Sequence, residues 1–468
     1  MKNKNLFVPL VFFFAFVFYT ILLFHTRGNF PDIVKSFDLR WATIANNLSQ
    51  NGTYSYGATD SHGTLISTFS TPPVFPLLYS GAYSIFGHGE IADEVMKFIT
   101  IYLCIGIMFI SYHIGRLFSY KVGCVAAIIA LMDFSPFYWA NNYKTPDIVA
   151  AFLMSLSIYF LVKFVKFKRL NKYIILCSLF LGLAALTKPA VCLLWLPLSV
   201  FLFLFSYKIH RNHIAKFFYP VVLFLIIQII FIGGWKVRNY YATGYPEFSS
   251  QSGSVLLFWN SGYLKSYQEG TPYWPMKLRL METYITKETD KMDEGAQNLY
   301  FSRIGKKIIF GSPIDYALVV LKRIPKLLLG SPPPDYLLGM ETRENIFRVL
   351  EIRSFGDMSS FPPPLKTLWV NGCYSYVLSW GFIKSHLLWI YLMSCVGIIL
   401  MFKNKSDYWI LIGMLIIIAG VVAIASPVSQ SRYRAPIMPI FYVLSGYGMV
   451  HLWQTVKRWK NSEIISEK

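Results

Sequence analysis

Acidic residues are scarce in this 468-residue chain: 24 Asp and Glu stand against 44 Lys and Arg, a net charge of +20. No Asp-x-Asp motif stands out, so no divalent-metal site is expected. Cysteine is scarce too. Cys104, Cys124, Cys177, Cys192 and Cys395 lie inside apolar runs and only Cys373 falls in a loop, which leaves no disulfide framework and no Cys-based metal site. His62, His88, His113, His210, His213 and His386 lack zinc spacing. No nucleophile elbow, P-loop or dinucleotide fingerprint occurs. No internal repeat is visible, so the inverted repeats common in secondary transporters find no support.

What the chain has in abundance is apolar surface: 55% hydrophobic and 18% aromatic residues, with a mean hydropathy of +0.45. Runs near 18 residues without charge read as transmembrane helices. They fall at 6–24, 96–114, 122–139, 148–164, 173–187, 189–206, 217–234, 385–402, 408–426 and 435–453. The fold class is an all-α polytopic membrane protein with about ten spans, and room for eleven or twelve. The first run is too long for a signal-peptide core and lacks a small-residue cleavage site, so it reads as a retained anchor. The positive charge sits at helix ends, which points to membrane lipids and topology rather than nucleic acid.

Alternate connections are rich in Lys and Arg: Arg116 and Lys121; Lys163 to Lys172; Lys208, Arg211 and Lys216; Lys403 and Lys405. The positive-inside rule puts these and both termini in the cytoplasm, and two large segments, 25–95 and 235–384, outside. Three regions follow: an N-terminal membrane module, 1–240, with its outer loop; an outer region, 241–384; and C-terminal spans, 385–468. Phe37 to Leu48 has the pattern of an interfacial helix, as does Lys306 to Leu329. Pro332–Pro334 and Pro362–Pro364 mark extended linkers.

Lys144, Lys188, Lys236, Arg238, Arg432 and Arg434 break the charge rule, because all fall at outer helix ends. Snorkelling to headgroups explains any one of them. Six at one boundary suggest an anionic ligand such as a lipid phosphate, for which guanidinium forks suit bidentate recognition. Pro189 pins Lys188 in a tight turn, and Pro436 opens the last span after Arg432 and Arg434. Among outer acids, Asp38 opens the interfacial stretch at membrane depth, where a general base could meet a lipid-borne sugar. Asp32, Asp60, Asp93 and Glu94 share that outer loop. Asp147 follows Thr145-Pro146 in what reads as a cap and first helical turn. Asp133 lies inside an apolar run and is a functional candidate on that ground. Trp41, Tyr54, Tyr56, Trp139 and Tyr143 are placed to stack on sugars or to form an interfacial belt.

Asp38-Leu39-Arg40-Trp41, with Ala45, Leu48, Gly52 and Tyr54, resembles the first-loop signature of C-type membrane glycosyltransferases, nearest the protein O-mannosyltransferase and aminoarabinose-transferase superfamily. Thr71-Pro72-Pro73-Val74-Phe75-Pro76 resembles that family's Pro-Pro motif, Pro146-Asp147 its second outer acid, and Gly182 to Pro189 its Thr-Lys turn. Ser431 to Ile437 resembles the basic start of a late helix. The resemblance is good over residues 1–245 and patchy beyond. It implies Asp38 and Asp147 as catalytic acids, a polyprenyl-phosphate sugar donor, and inversion at the sugar carbon. Leu39 and Thr71 stand where many relatives carry Glu and a Lys or His.

The expected activity is therefore sugar transfer from a polyprenyl phosphate to a hydroxyl of a glycan, lipid or protein, at the outer face of a bacterial cytoplasmic membrane. No cofactor or metal is expected. Asp38 would serve as base; Lys188, Arg432, Arg434 and Arg238 would hold the phosphate. Two other readings stand beside it: a lipid or oligosaccharide transporter, and an oligosaccharide ligase or polymerase using a lipid-pyrophosphate donor.

Overall fold

The computed structural model describes residues 7–26, 40–142, 145–168, 171–210, 214–330 and 365–466. Among these residues the regular structure is helical; one isolated bridge joins Thr59 and Leu65. Hydrocarbon offers no hydrogen bonds to a backbone, so apolar runs of this length satisfy their own as helices. In order they are α1 (Phe7–Thr26), α2 (Arg40–Asn51), α3 (Val74–Phe86), α4 (Glu90–Arg116), α5 (Tyr120–Met132), α6 (Ser135–Asn142), α7 (Asp147–Phe167), α8 (Asn171–Ala185), α9 (Trp195–His210), α10 (Ile214–Gln228) and α11 (Gly234–Thr243). A 3-10 turn, Pro189–Leu194, leads into α9, and a π-helical turn, Ile229–Gly233, joins α10 to α11.

A group of shorter helices follows: α12 (Gln251–Ser254), a π-helical turn (Val255–Ser261), α13 (Gly262–Glu269), α14 (Tyr273–Tyr284), α15 (Lys287–Asp290), α16 (Glu294–Gly311) and α17 (Pro313–Leu329). The chain then forms α18 (Leu365–Val370), α19 (Tyr374–Lys403), α20 (Tyr408–Ala425), a 3-10 turn (Ser431–Ile437) and α21 (Met438–Ser466).

Seven stretches among the described residues are long and apolar enough to cross a membrane: Glu90–Arg116, Asp147–Phe167, Pro189–Ile209, Phe217–Thr243, Tyr376–Lys403, Tyr408–Ala425 and Ser431–Arg458. This is an integral membrane protein. Of the remaining predicted spans, 122–139 becomes α5 and α6, bent by 50°. The break has a cause. Asp133 accepts from the Ser135 backbone N–H at 3.0 Å and from the Tyr442 hydroxyl at 2.7 Å, and Pro136 starts the second piece. The predicted spans 6–24 and 173–187 carry shorter apolar stretches, Pro9–Leu22 and Lys172–Ala185.

The long segment between α2 and α4 holds more structure than its sequence suggests. α3 forms within it, started after Pro72-Pro73 and stopped at Gly87, whose φ of 79° suits a residue without Cβ. The interfacial stretch predicted over 306–329 divides at Ser312, because Pro313 opens a new helix. Along α17, Ile314, Leu318 and Leu321 are exposed on one side while Val319 and Leu327 are buried on another, the pattern of an interfacial helix. The proline linkers lie outside the described residues.

The most buried span is the last: 83% of its apolar window is enclosed, against 28% for Phe217–Thr243. α21 packs on α19, α5 and α4. Apolar side chains gain little from leaving lipid for protein, so close backbone approach must hold such helices together. Glycine permits it. A Cβ at Gly397 would overlap the Leu444 carbonyl oxygen, and one at Gly448 the Met393 carbonyl oxygen. A Cβ at Gly115 would lie 2.8 Å from the Gly123 Cα. Replacing Gly448 by Ile should therefore open the α19–α21 seam. We expect a lower thermal midpoint in detergent for Gly448→Ile and little change for Gly381→Ala, where a Cβ meets open space; equal midpoints would contradict this packing.

Candidate active site

Four elements bring polar groups together at one end of the bundle. Pro146 precedes α7 and leaves Asp147 in its first turn. Lys188 is extended, between the end of α8 and Pro189 at the start of its 3-10 turn. The turn Ser431–Ile437 carries Arg432 and Tyr433. The Lys188 ammonium donates to Asp147 Oδ1, and Arg432 Nη1 lies 3.9 Å from Asp147 Oδ2. Lys188 Nζ sits 4.0 Å from the Tyr433 ring centre, and the Arg432 guanidinium 5.2 Å from the same ring. Side-chain exposure is 3% for Asp147, 10% for Lys188 and 23% for Arg432. A lone buried charge would be very costly; here two cations share one carboxylate, and Tyr433 screens both.

Counted by themselves, Asp147, Lys188 and Arg432 are one carboxylate and two cations. The cluster borders a small apolar pocket of about 20 Å³ lined by Lys188, Val191, Val421, Ile424, Tyr433 and Pro436. Burial pushes the Lys188 ammonium down to about 8, with Asp147 opposing that shift and Arg432 adding to it. Burial thus makes the Lys188 proton easier to lose than that of an exposed lysine.

The first outer loop reaches this corner. The Val74 N–H donates to the Leu186 carbonyl at 3.0 Å, two residues before Lys188. The buried Tyr54 hydroxyl donates to the carbonyls of Thr71 at 3.0 Å and Pro72 at 3.2 Å, fixing the Pro-Pro segment. Burial raises the Tyr54 phenol well above its ordinary range, so it remains a donor. Ala42 and Ala45 of α2 share a core with Val149, two residues beyond Asp147.

The other candidates are placed differently. Asp38, Asp32, Lys144 and Tyr143 lie outside the described residues. Arg238 donates to the Thr68 carbonyl at 2.8 Å and stands 5.0 Å from the ring centres of Tyr54 and Trp235. It braces the loop behind the Pro-Pro segment. Thr68 in turn donates to Glu294 at 2.7 Å, as does Ser250, tying that loop to α16. Glu294 escaped sequence reasoning because an acid in a first helical turn reads as a dipole partner.

Arg434 is buried, 1% exposed, and turned away from Asp147. It donates to the carbonyls of Leu328, at 2.9 Å, and Gly330, and to Ser135 Oγ at 2.9 Å. With Lys384 on the Leu329 carbonyl and Tyr391 on that of Leu328, it caps the end of α17. A guanidinium occupied in this way has little left for a substrate phosphate. Asp133 is likewise internal, bonded to Tyr442 and to the Ser135 backbone. Asp60 closes its own turn through the N–H groups of His62 and Thr64, Asp93 accepts from Tyr79 and Tyr83, and Glu94 pairs with Lys97. Lys236 is exposed. Among the described residues no group of three His, Cys, Asp or Glu converges.

Residues 70–235 match the family model of dolichyl-phosphate-mannose-protein mannosyltransferases, a stretch that includes the Pro-Pro segment, Asp147 and Lys188. Among solved structures, the oligosaccharyltransferase AglB of Archaeoglobus fulgidus, in complex with an inhibitory peptide and a dolichol-phosphate, is similar at 13% identity and a TM-score of 0.52, covering 99% of this chain and 52% of that one. Its apo form gives 13%, 0.52, 98% and 52%. ArnT from Cupriavidus metallidurans, bound to undecaprenyl phosphate, matches at 16% identity over 93% of this chain and 76% of that one; at a TM-score of 0.36 the likeness supports no argument. The chain spans about half the length of the oligosaccharyltransferase. No curated protein sequence matches. The fold is that of the C-type membrane glycosyltransferases, as the first-loop signature implied.

Removing the carboxylate would leave Lys188 and Arg432 facing each other in a dry site. Breaking a buried pair in this way costs about 3–5 kcal/mol. Asp147→Ala should lower the thermal midpoint, and the double variant Asp147→Ala/Lys188→Met should recover part of the loss. No recovery would show that the two side chains are not energetically coupled.

Proposed function

We propose that this chain is an inverting glycosyltransferase that moves a sugar from a polyprenyl-phosphate donor to an acceptor hydroxyl at the outer face of the membrane, a bacterial cytoplasmic membrane on the charge pattern. The observation that carries the reading is the buried Asp147–Lys188–Arg432 cluster, two cations on one carboxylate, at the edge of an apolar pocket beside the Pro-Pro segment. A polyprenyl-phosphate sugar is a phosphodiester with one negative charge and an apolar tail. The cluster complements the first, and the pocket wall suits the second.

In this reading the acceptor oxygen forms a bond to the anomeric carbon as the carbon–oxygen bond to phosphate breaks. The electron pair leaves with the phosphate, which becomes a monoester and gains negative charge. Lys188 and Arg432 stabilise that growing charge, the kind of preorganised interaction that lowers barriers most. Asp147 holds the two cations in place and is a positioning residue. The acceptor proton passes to Asp38, which precedes α2 by two residues. One carboxylate suffices, because the phosphate leaves as a stable anion and needs no acid.

Two outcomes test this. Asp38→Asn should lower turnover of a lipid-linked sugar by about 10²–10⁴-fold with donor binding intact; unchanged turnover removes Asp38 from the base role. Polyprenyl-phosphate affinity should weaken as pH rises from 7 through 9, since Lys188 loses its charge above about 8. Lys188→Arg should bind with a flatter profile over that range. A pH-independent wild-type affinity would argue against Lys188 as the phosphate ligand.

A further inference from the structure

The far end of the bundle gathers a second set of cations, built differently from the first. Lys163 lies on α7 sixteen residues beyond Asp147, about 24 Å along the helix. Its Nζ sits between two rings, 4.8 Å from the centre of Tyr159 and 4.9 Å from that of Tyr173 on α8. Lys172 Nζ is 5.4 Å from the same Tyr173 centre. On α4, His113 meets Tyr159 edge-on with ring centres 6.2 Å apart, and Arg116 follows one turn later on the same face. Lys166 donates to the Leu117 carbonyl, which holds the ends of α4 and α7 side by side. Lys163 and His113 are half-buried, whereas Arg116 and Lys172 are exposed.

No acid offsets these charges. The stretches that supply them, 95–132 and 148–246, contain no Asp or Glu. Among the described residues, Arg116, Lys163 and Lys172 have no carboxylate within ion-pair distance. Aromatic rings hold a cation through their quadrupole and leave its charge uncancelled, unlike the carboxylate of Asp147. A lysine serving topology alone would extend its ammonium into water; that of Lys163 is kept between rings from two helices. Apolar wall adjoins the cluster. Phe109 lies 4.4 Å from the His113 ring and Phe167 lies 6.3 Å from the Tyr173 ring, and each is 46% exposed. Uncompensated cations above an exposed apolar surface complement a headgroup phosphate with acyl chains beneath it.

We propose that Arg116, Lys163 and Lys172, positioned by Tyr159, Tyr173 and His113, form a binding site for the headgroup phosphate of an anionic phospholipid. The site is independent of the glycosyltransferase reading and stands or falls without it.

Lipid binding tests it. The full chain, delipidated in detergent, is titrated with phosphatidylglycerol or with phosphatidylcholine of the same chains, and bound lipid is counted by native mass spectrometry. One phosphatidylglycerol should bind saturably, about tenfold tighter than phosphatidylcholine. Lys163→Gln should weaken it about fivefold, the worth of one cation at a membrane surface, and Lys163→Arg should preserve it. The control is Lys403→Gln/Lys405→Gln. It removes two exposed charges at the same end of the bundle, where Asn404 donates to Tyr447 and Tyr447 packs on Phe118. This variant should bind phosphatidylglycerol within about twofold of wild type, while Arg116→Gln/Lys163→Gln should lose the preference over phosphatidylcholine. Equal affinity for the two lipids in wild type overturns the proposal. So does an unchanged affinity in Lys163→Gln, the result if phosphatidylglycerol binds at the Asp147 cluster instead. An equal loss in the control variant would reduce the effect to general surface charge, and displacement by excess soluble glycerophosphoglycerol would show a site for free phosphodiesters; either result also overturns the proposal.

Discussion

Everything at the charged corner of the bundle depends on the balance of charge around Asp147. A carboxylate at the start of a membrane helix and a lysine squeezed before a proline are each poor residents of an apolar bundle. Together, with Arg432 alongside and Tyr433 beneath, they become tolerable, and two cations are held on protein of low polarity. An exposed cluster of the same groups would attract phosphate weakly, since water screens it. In the proposed function, burial is what would give the site its pull on an anion, and burial is tolerable because Asp147 offsets part of the positive charge.

The rest of the structure supplies support. The Pro-Pro segment is held from both sides, by Tyr54 on its carbonyls and by Leu186 on Val74. Arg238, Thr68 and Glu294 fasten the first outer loop to the second. Arg434 performs the equivalent task between α17 and the spans. Each joins elements far apart in the chain, so the walls of the site come from every part of the molecule while its charged centre needs only three side chains.

Much of the architecture was legible in the sequence because lipid imposes a simple code. Span positions follow from apolar length, and the proposed sidedness from the placement of Lys and Arg. Lys188 and Arg432 stood out for the same reason: they sit where topology disfavours them. The code has limits. It does not see that Asp133 bends a span, because the partner that stabilises the bend, Tyr442, is 309 residues away. It does not separate Arg432 from Arg434, whose surroundings diverge only once α17 is in place. In the outer region, where water competes for every polar group, no periodicity revealed the brace made by Glu294.

The deep burial of α21 has a bearing on how the protein is made. The helix around which α4, α5 and α19 gather is the latest of them to leave the ribosome. Glycine faces on the earlier helices, such as Gly397, wait in the bilayer for a mate that does not yet exist. Among these helices the keystone is therefore made last, and an insertion intermediate lacking α21 would hold its hydrophobic belt in the membrane while its inner seams remained open to lipid or to membrane chaperones.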